Sequence, residues 1–387
     1  MPSRARLRRL AGCLGLLLAT GCGGPQPGRL GGNDASARAA APAAVTAAQL
    51  ARLTPDQLAG QRVIYSYKGP DPPEQLLTAI RSGRAAGVIF FGANTADPER
   101  FHAAVAALKQ AQAESPVHLP LLLMTDQEGG QVRRLPGGPE LSERAVGRQP
   151  DPVAAATAAG ALAAENLRAA GLNVNLAPVL DVSRQDGDFI DRHERSYGQD
   201  PAQVAELGRA FIAAQQRGGV LATAKHFPGL GSTPAGSDTD AGAVTLGVSR
   251  AELGAVDEQP YPRAIAAGVR LVMVSWAVYP ALDPTRPAGL SPLVVRGELR
   301  DRLGFKGVTV TDALEAGALS SYGDAGARAV AAADAGMDLL LCSAQDDTQG
   351  SDATAALSDA LTTGRLDRAD FTAAAQRVSA LRTGLAP

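Results

Sequence analysis

Residues 221–242 read LATAKHFPGLGSTPAGSDTDAG, and this stretch indicates both the fold and the place of a site. It begins as a short apolar strand and ends that strand on Lys225 and His226. Prolines and glycines then break it into a loop that carries Asp238 and Asp240. Core strands seldom end in this way, because burying a lysine and a histidine without partners is costly. The alternative is a solvated loop with Lys225 in a structural ion pair, so the rest of the chain decides.

The whole chain alternates between apolar runs and helix-favouring segments. Eight β-rich runs lie at 62–67, 86–92, 120–126, 172–182, 221–227, 271–280, 307–313 and 337–344. Ala-rich segments with apolar residues three and four apart predict helices over 97–114, 151–170, 201–217 and 250–268. Strands that are apolar throughout are buried on both faces, and strands separated by helices run parallel. We therefore predict one α/β domain folded as a (β/α)8 barrel, with a doubly wound open sheet as the alternative.

Charged residues gather at one end of these predicted strands. Asp126 ends the third run, Asp181 the fourth, Lys225 and His226 the fifth, and Asp312 the seventh. In a (β/α)8 barrel the site is built at the carboxyl ends of the strands. The loops that follow these ends are rich in glycine and polar residues, which is typical of functional loops. The charges therefore predict a pocket at this end of the barrel.

The residue types in this pocket favour chemistry on sugars. Glycoside hydrolysis needs one carboxylate as nucleophile or base and a second group as proton donor, and Lys, His and Asp side chains bond sugar hydroxyls well. Composition alone leaves aldolase, phosphatase and amidohydrolase chemistry open. The four histidines are mostly isolated, which disfavours a multi-histidine metal site, and no cofactor is implied. A pI near 6.1 and only 4% aromatic residues disfavour nucleic-acid binding.

The amino terminus has the features of a targeting segment. A basic start and a ten-residue apolar run at 10–19 precede LATGC, which ends at Cys22. Residues 1–22 resemble a bacterial lipoprotein signal whose Cys22 becomes the lipidated first residue, with an ordinary secretory signal as the alternative. Residues 23–48 are rich in Gly, Ala and Pro and predict a flexible tether before a catalytic domain over 49–387. Cys342, inside an apolar run, is expected to be a core residue.

Six motifs carry a resemblance to a known family. In chain order they are DQEGGQVRRL (126–135), GLNVNLAPVLDV (171–182), ERSYGQDP (194–201), KHFPGLG (225–231), VYPALDP (278–284) and GFKGVTVTDALEAGAL (304–319). Together they resemble glycoside hydrolase family 3, and in particular its single-domain bacterial β-N-acetylglucosaminidase branch. The resemblance extends over about residues 50–380.

The resemblance implies roles for individual residues. Asp312 matches the catalytic nucleophile of the family, which forms a covalent glycosyl-enzyme and so retains the anomeric configuration. A helix N-cap is the alternative role for this aspartate. Positions that bind substrate in the family are matched by Asp126, Arg134, Arg195, Lys225 and His226. Glu128 is expected to shape its loop rather than to contact substrate.

Two positions depart from the family pattern. The branch usually supplies its proton through an aspartate-serine-histidine triplet, and here the equivalent residues are Asp238, Thr239 and Asp240. Either aspartate could then act as the acid, provided that its pKa is raised by burial or by a neighbouring carboxylate. Trp276 stands where relatives often have histidine, and it is expected to be a pocket wall, a sugar-stacking platform or a core residue.

The resemblance implies a retaining exo-β-N-acetylglucosaminidase that removes terminal GlcNAc from cell-wall fragments. The enzyme is expected to be a monomer anchored by its lipid to the outer face of the cytoplasmic membrane. The alternatives are a β-glucosidase or β-xylosidase of the same family, or a sugar-binding lipoprotein with weakened turnover. Whether water or phosphate accepts the glycosyl group is left open.

Overall fold

The computed structural model describes residues 47–385, and its centre is a closed barrel of eight parallel strands. The strands are β1 Val63–Tyr65, β2 Gly87–Ile89, β3 Leu122–Thr125, β4 Val174–Asn175, β5 Leu221–Phe227, β6 Leu271–Val274, β7 Val308–Ala313 and β8 Leu339–Leu341. Each strand pairs with its neighbours in chain order, and β1 closes the barrel by pairing with β8. The predicted (β/α)8 barrel is confirmed. The doubly wound open sheet is excluded, because an open sheet has two edge strands with one neighbour each, whereas every strand here has two.

Helices separate the strands and cover the barrel. The principal ones are Glu74–Arg81, Pro98–Ala113, Pro152–Ala169, Pro201–Arg217, Pro260–Ala266, Ala325–Ala335, Asp347–Thr362 and Arg368–Thr383. Shorter turns of helix lie at Ala47–Leu50, Pro55–Gly60, Gly92–Thr95, Glu143–Gly147 and Arg250–Glu252, with 3-10 turns at Asp191–His193, Ala288–Leu290 and Gly317–Tyr322. Three of the predicted helices begin at an Asp-Pro pair. Asp97, Asp151 and Asp200 accept backbone N–H groups of the first turn, while the proline that follows needs no partner for a missing N–H.

The helix predicted over 250–268 differs from the expectation. It is broken into Arg250–Glu252, a π-helical turn at Leu253–Asp257, and Pro260–Ala266. Pro260 cannot donate a backbone hydrogen bond, so a continuous α-helix through it is unfavourable. A second π-helical segment, Leu293–Arg302, connects β6 to β7.

Two small antiparallel sheets lie outside the barrel, on the loops at the carboxyl ends of strands. One pairs Gln127–Gly129 with Val132–Arg133 after β3, and the other pairs Val278–Tyr279 with Asp283–Pro287 after β6. The first falls in the stretch that reads as an irregular loop in the sequence. The side chain of Gln127 stabilises this turn by accepting the Leu135 N–H at 3.0 Å and donating to the Gly138 carbonyl at 3.0 Å.

The interior of the barrel is filled by apolar side chains from all eight strands or from the residues beside them. They pack together with Val378 and Leu385, which belong to the C-terminal helix and the turn after it. Arg382, on the same helix, donates to the backbone carbonyls of Leu119 and Pro120, just before β3 begins. The C-terminal helix therefore covers the amino-terminal end of the barrel, opposite the end where the site is predicted.

Several sequence predictions fall outside the described residues. These are the signal segment 1–22, the lipidated Cys22 and nearly all of the tether 23–48; the helix Ala47–Leu50 begins two residues before the expected domain boundary. Within residues 47–385, no helix is both long and apolar enough to cross a membrane. Cys342 is fully buried, as expected of a core residue.

Candidate active site

A cavity of about 430 Å³ opens at the carboxyl ends of the strands. Its floor is the top of the barrel core, because Ile89, Leu176, Met273 and Leu341 line the cavity and also belong to the interior cluster. The cavity brings together eight residues predicted from the sequence: Asp126, Arg134, Arg195, Lys225, His226, Asp238, Asp240 and Asp312. Their individual roles stay predictions, but their common location follows from the fold.

Four charged side chains form a compensated network on one side of the cavity. The Lys225 ammonium lies 2.7 Å from Asp126 Oδ1 and 2.7 Å from Glu128 Oε1. Arg195 binds Glu128 with both arms of its guanidinium, at 2.9 and 2.8 Å. Two cations thus meet two carboxylates, and bidentate pairing fixes the guanidinium plane. The network holds polar groups ready for a polyhydroxylated ligand while leaving none of the buried charges unpaired.

Glu128 has a larger part than the sequence suggests. It is 2% exposed, so burial alone would raise its pKa, but Arg195 and Lys225 outweigh burial and hold the pKa of Glu128 well below its ordinary value. Burial likewise opposes the charge on Lys225, and Asp126 and Glu128 reverse that effect, so the pKa of Lys225 is raised. Glu128 does not only shape its loop, because it fixes two of the predicted substrate-binding cations. Nothing in the motif DQEGG distinguishes a buried glutamate from an exposed one.

His226 is oriented by an aspartate behind it. Its Nδ1 lies 2.7 Å from Asp181 Oδ2, while Asp181 Oδ1 accepts the backbone N–H groups of His226 at 3.2 Å and Leu230 at 2.7 Å. The other ring nitrogen, Nε2, faces Arg195 Nη2 at 3.5 Å. Because arginine only donates, the contact with Arg195 is a hydrogen bond only in the tautomer that accepts at Nε2 and donates from Nδ1 to Asp181. Burial would raise the pKa of Asp181, but His226 and the backbone donors outweigh burial and lower it.

Asp312 lies at the end of β7, half-buried, with its carboxylate in the cavity. Its Oδ1 accepts the N–H of Ala313 at 2.8 Å. No helix begins at this aspartate, and the next helical turn is a 3-10 turn at Gly317–Tyr322, so the N-cap alternative is excluded. The register between β7 and β8 shifts between Val310 and Ala313, which marks a bulge at the aspartate. Bulges commonly turn a side chain toward a site.

The two candidate acids on the β5 loop have different surroundings. Asp238 accepts the backbone N–H of Asp240 at 2.9 Å and lies 3.8 Å from Arg192. Asp240 stands at the mouth of the cavity, where partial desolvation and then the charges of Asp312 and Asp238 raise its pKa to about 6. Two backbone bonds join this loop to the loop after β7, from Gly317 N to Asp240 O at 2.8 Å and from Ala318 N to Thr239 O at 2.9 Å. The β5 loop is thus held against the loop that follows Asp312.

Two further residues, Glu315 and Trp276, also bear on the site. Glu315 lines the cavity and accepts from the hydroxyl of Ser343 at 2.7 Å, a contact that the sequence did not indicate. Trp276 is fully buried and is not among the residues that line the cavity, so of its three predicted positions it takes the core one. Among residues 47–385 no group of three or more His, Cys, Asp or Glu side chains could hold a metal ion.

The fold and cavity define an enzyme of the (β/α)8 barrel class with a carboxylate-rich pocket at the catalytic end. The family model described as "Glycosyl hydrolase family 3 N terminal domain" matches residues 56–381 of this chain. The chain belongs to this family and is a glycoside hydrolase.

Three comparisons illustrate its relatives. An uncharacterized secreted glycosyl hydrolase from Arthroderma benhamiae is 46% identical over 332 residues, covering 84% of this chain and 93% of the relative. A glycoside hydrolase family 3 β-N-acetylglucosaminidase from a Paenibacillus species has a similar structure, with a TM-score of 0.80 and 36% identity over 86% of this chain and 62% of that one. A β-N-acetylhexosaminidase from Beutenbergia cavernae has a TM-score of 0.75 and 32% identity, over 86% of this chain and 98% of that one.

Proposed function

We propose that this chain is a retaining, exo-acting β-N-acetylglucosaminidase that removes a terminal GlcNAc through a covalent intermediate on Asp312. The observation that carries the proposal is the joint placement of Asp312 and Asp240 in one cavity. One carboxylate lies at the end of a strand, and the other lies on a loop bonded to the segment that follows that strand. The proposal is also supported by the structural relatives from Paenibacillus and Beutenbergia, whose descriptions are those of enzymes acting on N-acetylated hexosamines.

The proposed reaction has two steps. In the first, Asp312 attacks the anomeric carbon, the glycosidic C–O bond breaks, and protonated Asp240 gives its proton to the leaving oxygen. In the second, the Asp240 carboxylate takes a proton from water, the water oxygen bonds to the anomeric carbon, and Asp312 leaves as a carboxylate. A pKa of about 6 suits Asp240 to both tasks near neutral pH.

The closed floor of the cavity supports the exo mode of attack. The apolar top of the barrel core blocks passage of a chain beyond the first sugar. The paired side chains of Lys225, Arg195 and Asp126 stand on one side of this space and offer donors and acceptors to the hydroxyls of that sugar.

The test is hydrolysis of 4-methylumbelliferyl β-N-acetylglucosaminide compared with the matching β-glucoside. We expect preference for the acetamido sugar and loss of activity by about 10⁴-fold or more in Asp312→Ala, because the nucleophile is removed. Asp301→Ala, which removes an exposed aspartate that does not line the cavity, is the control and should retain full activity. Preference for the glucoside would assign the chain to the β-glucosidase alternative. Tight GlcNAc binding without turnover would assign it to the sugar-binding alternative.

We further propose that the substrates are GlcNAc-terminated cell-wall fragments and that Cys22 anchors the enzyme by lipid to the outer face of the cytoplasmic membrane. The signal-like pattern of residues 1–22 supports the anchor. Membrane fractionation of wild type and Cys22→Ser tests it, since the variant should move from the membrane to the soluble fraction. Release of GlcNAc from purified muropeptides tests the substrate.

A further inference from the structure

Trp276 is the single tryptophan of the chain, and its indole is buried beside the proposed nucleophile. It lies two residues beyond the end of β6, next to β7 in the barrel. The indole Nε1 donates a hydrogen bond of 2.8 Å to the backbone carbonyl of Ala313. A buried indole N–H requires a partner, but here the partner is the residue that directly follows Asp312.

The backbone around Asp312 depends on this bond because β7 is irregular there. Beyond the register shift at Val310, the Ala313 N–H donates to the carboxylate of Asp312 and the Leu314 N–H donates to the Leu341 carbonyl of β8. The Ala313 carbonyl has the indole of Trp276 as its partner. The N–H and the carbonyl of Ala313 are thus both satisfied by side chains rather than by a neighbouring strand.

The indole is itself held in one place. A Cβ added at Gly289 would lie 2.5 Å from Cζ3 of Trp276, so the ring packs directly on that glycine. The Gly289 N–H donates to the Ser275 carbonyl at 3.1 Å, while the Ser275 hydroxyl contacts Tyr279 OH at 3.1 Å. Tyr279 OH in turn donates to the Gly229 carbonyl at 2.8 Å. The ring therefore rests on a frame built from β6, its hairpin and the β5 loop.

We infer that Trp276 is a positioning residue that sets the direction of the Asp312 carboxylate through the backbone of Ala313. The indole holds the Ala313 carbonyl, which belongs to the peptide between Ala313 and Leu314, whereas the N–H that Asp312 accepts belongs to the peptide between Asp312 and Ala313. The two peptide planes meet at the Cα of Ala313, so fixing the first limits the rotation of the second and of the carboxylate bonded to it. Nucleophilic attack requires the carboxylate to stand close to the anomeric carbon, and small misplacements reduce the rate strongly. The inference rests on the proposed role of Asp312 as nucleophile.

Two variants break the same bond by different routes. Trp276→Phe removes the donor and keeps most of the apolar packing, whereas Gly289→Ala keeps the donor and displaces the ring. We expect kcat to fall about tenfold or more in both, with KM and the inhibition constant for free GlcNAc changed by roughly threefold at most, because the loss falls on the transition state. Rates are referred to active enzyme, counted by mass spectrometry of the covalent adduct formed with a 5-fluoro glycoside that traps the intermediate.

The control is Tyr322→Phe, which also removes a side-chain donor to a backbone carbonyl, that of Thr285, without touching the cavity. It should leave kcat unchanged. The inference is overturned if Trp276→Phe keeps wild-type kcat per active site, or if kcat and KM change together in the two variants. The proposed function fails separately, if the adduct forms on a residue other than Asp312 or if Asp312→Ala remains active.

Discussion

Asp312 and Asp240, the proposed nucleophile and proton donor, carry the same functional group but have different surroundings. Asp312 accepts the backbone N–H of Ala313 at 2.8 Å and lies half-buried at the end of β7. Desolvation, followed by the charges of Asp312 and Asp238, raises the pKa of Asp240 to about 6, although His226 opposes this shift. The raised pKa suits Asp240 to hold a proton, which is the task of the acid in the proposed reaction.

Asp240→Asn should remove the basic limb of the pH profile. In wild type, kcat/KM should fall above about pH 6, because Asp240 loses the proton that the leaving group needs. The variant should lose about 10²–10⁴-fold on a GlcNAc disaccharide, whose leaving group requires protonation, and much less on the aryl glycoside. Rates on both substrates from pH 4 to 9 check this.

Asp238→Asn is the matched control for that experiment. Its amide oxygen can still accept the Asp240 N–H, so the loop is conserved while the charge is lost. Activity should be reduced less, with the basic limb shifted to lower pH because a negative neighbour of Asp240 is gone. If Asp238→Asn instead abolished the limb, Asp238 would be the proton donor. The sequence predicted that Asp238 or Asp240 is the acid but not which of them. Their surroundings differ through Arg192 and Asp312, which lie elsewhere in the chain.

At the scale of elements, all eight predicted strands were recovered because burial on both faces leaves a clear sequence pattern. β5 shows this best, since LATAKHF is a single run of which all but Leu221 are buried. Two strand ends were placed too late, since β4 ends at Asn175 and β6 at Val274 rather than at 182 and 280. The hairpin after β3 and the π-helical turns were not predicted. The hairpin depends on side-chain hydrogen bonds such as those of Gln127, and a π-helical turn differs from an α-helix only in that each hydrogen bond spans one more residue. Neither feature produces a periodic pattern of apolar residues in the sequence.

Glu128 connects three of these elements, so Glu128→Gln should be strongly destabilising. The change leaves the buried Lys225 with Asp126 as its one ion-pair partner, and it removes the carboxylate that Arg195 binds with both arms. Breaking a buried network of this kind costs about 3–5 kcal/mol. The pKa of Glu128 is lowered on folding, so its contribution is present above the unfolded value of about 4.3 and is lost as pH falls. The difference from wild type should therefore be large at pH 7 and smaller near pH 3.

Urea unfolding at the two pH values measures this effect. Glu165→Gln, an exposed glutamate on the helix Pro152–Ala169, is the control and should change the free energy of unfolding by less than about 0.5 kcal/mol. If Glu128→Gln lowered the free energy of unfolding by the same amount at both pH values, the charge of Glu128 would not be what stabilises the network.

The charges at the two ends of the barrel differ in what they contact. At the carboxyl end, charged side chains line the cavity and are held by buried partners such as Glu128 and Asp181, whereas the charges named here for the amino-terminal end have structural contacts that do not reach the cavity. There, Asp338 is fully buried and pairs with Arg300 at 2.5 Å and Arg377 at 2.7 Å. The sequence predicted the barrel but not this arrangement, because the faces that the last helices present are decided by packing against distant strands.

Arg382→Met should therefore lower stability without harming catalysis. Burial lowers the pKa of Arg382 to about 9, and its guanidinium is satisfied by Gln61 and by the carbonyls of Leu119 and Pro120. Methionine removes the cost of burying a charge but leaves these acceptors without a donor, and each hydrogen bond from a charged group contributes about 1.5–3 kcal/mol. We expect a net loss of about 2–3 kcal/mol in the free energy of unfolding and an unchanged kcat/KM for folded enzyme.

Arg365→Met, which removes an exposed ion pair with Asp359, is the control and should change the free energy of unfolding by less than about 1 kcal/mol. Reduced kcat/KM in folded Arg382→Met enzyme would mean that the amino-terminal end of the barrel acts on the site, because no contact of Arg382 reaches the cavity.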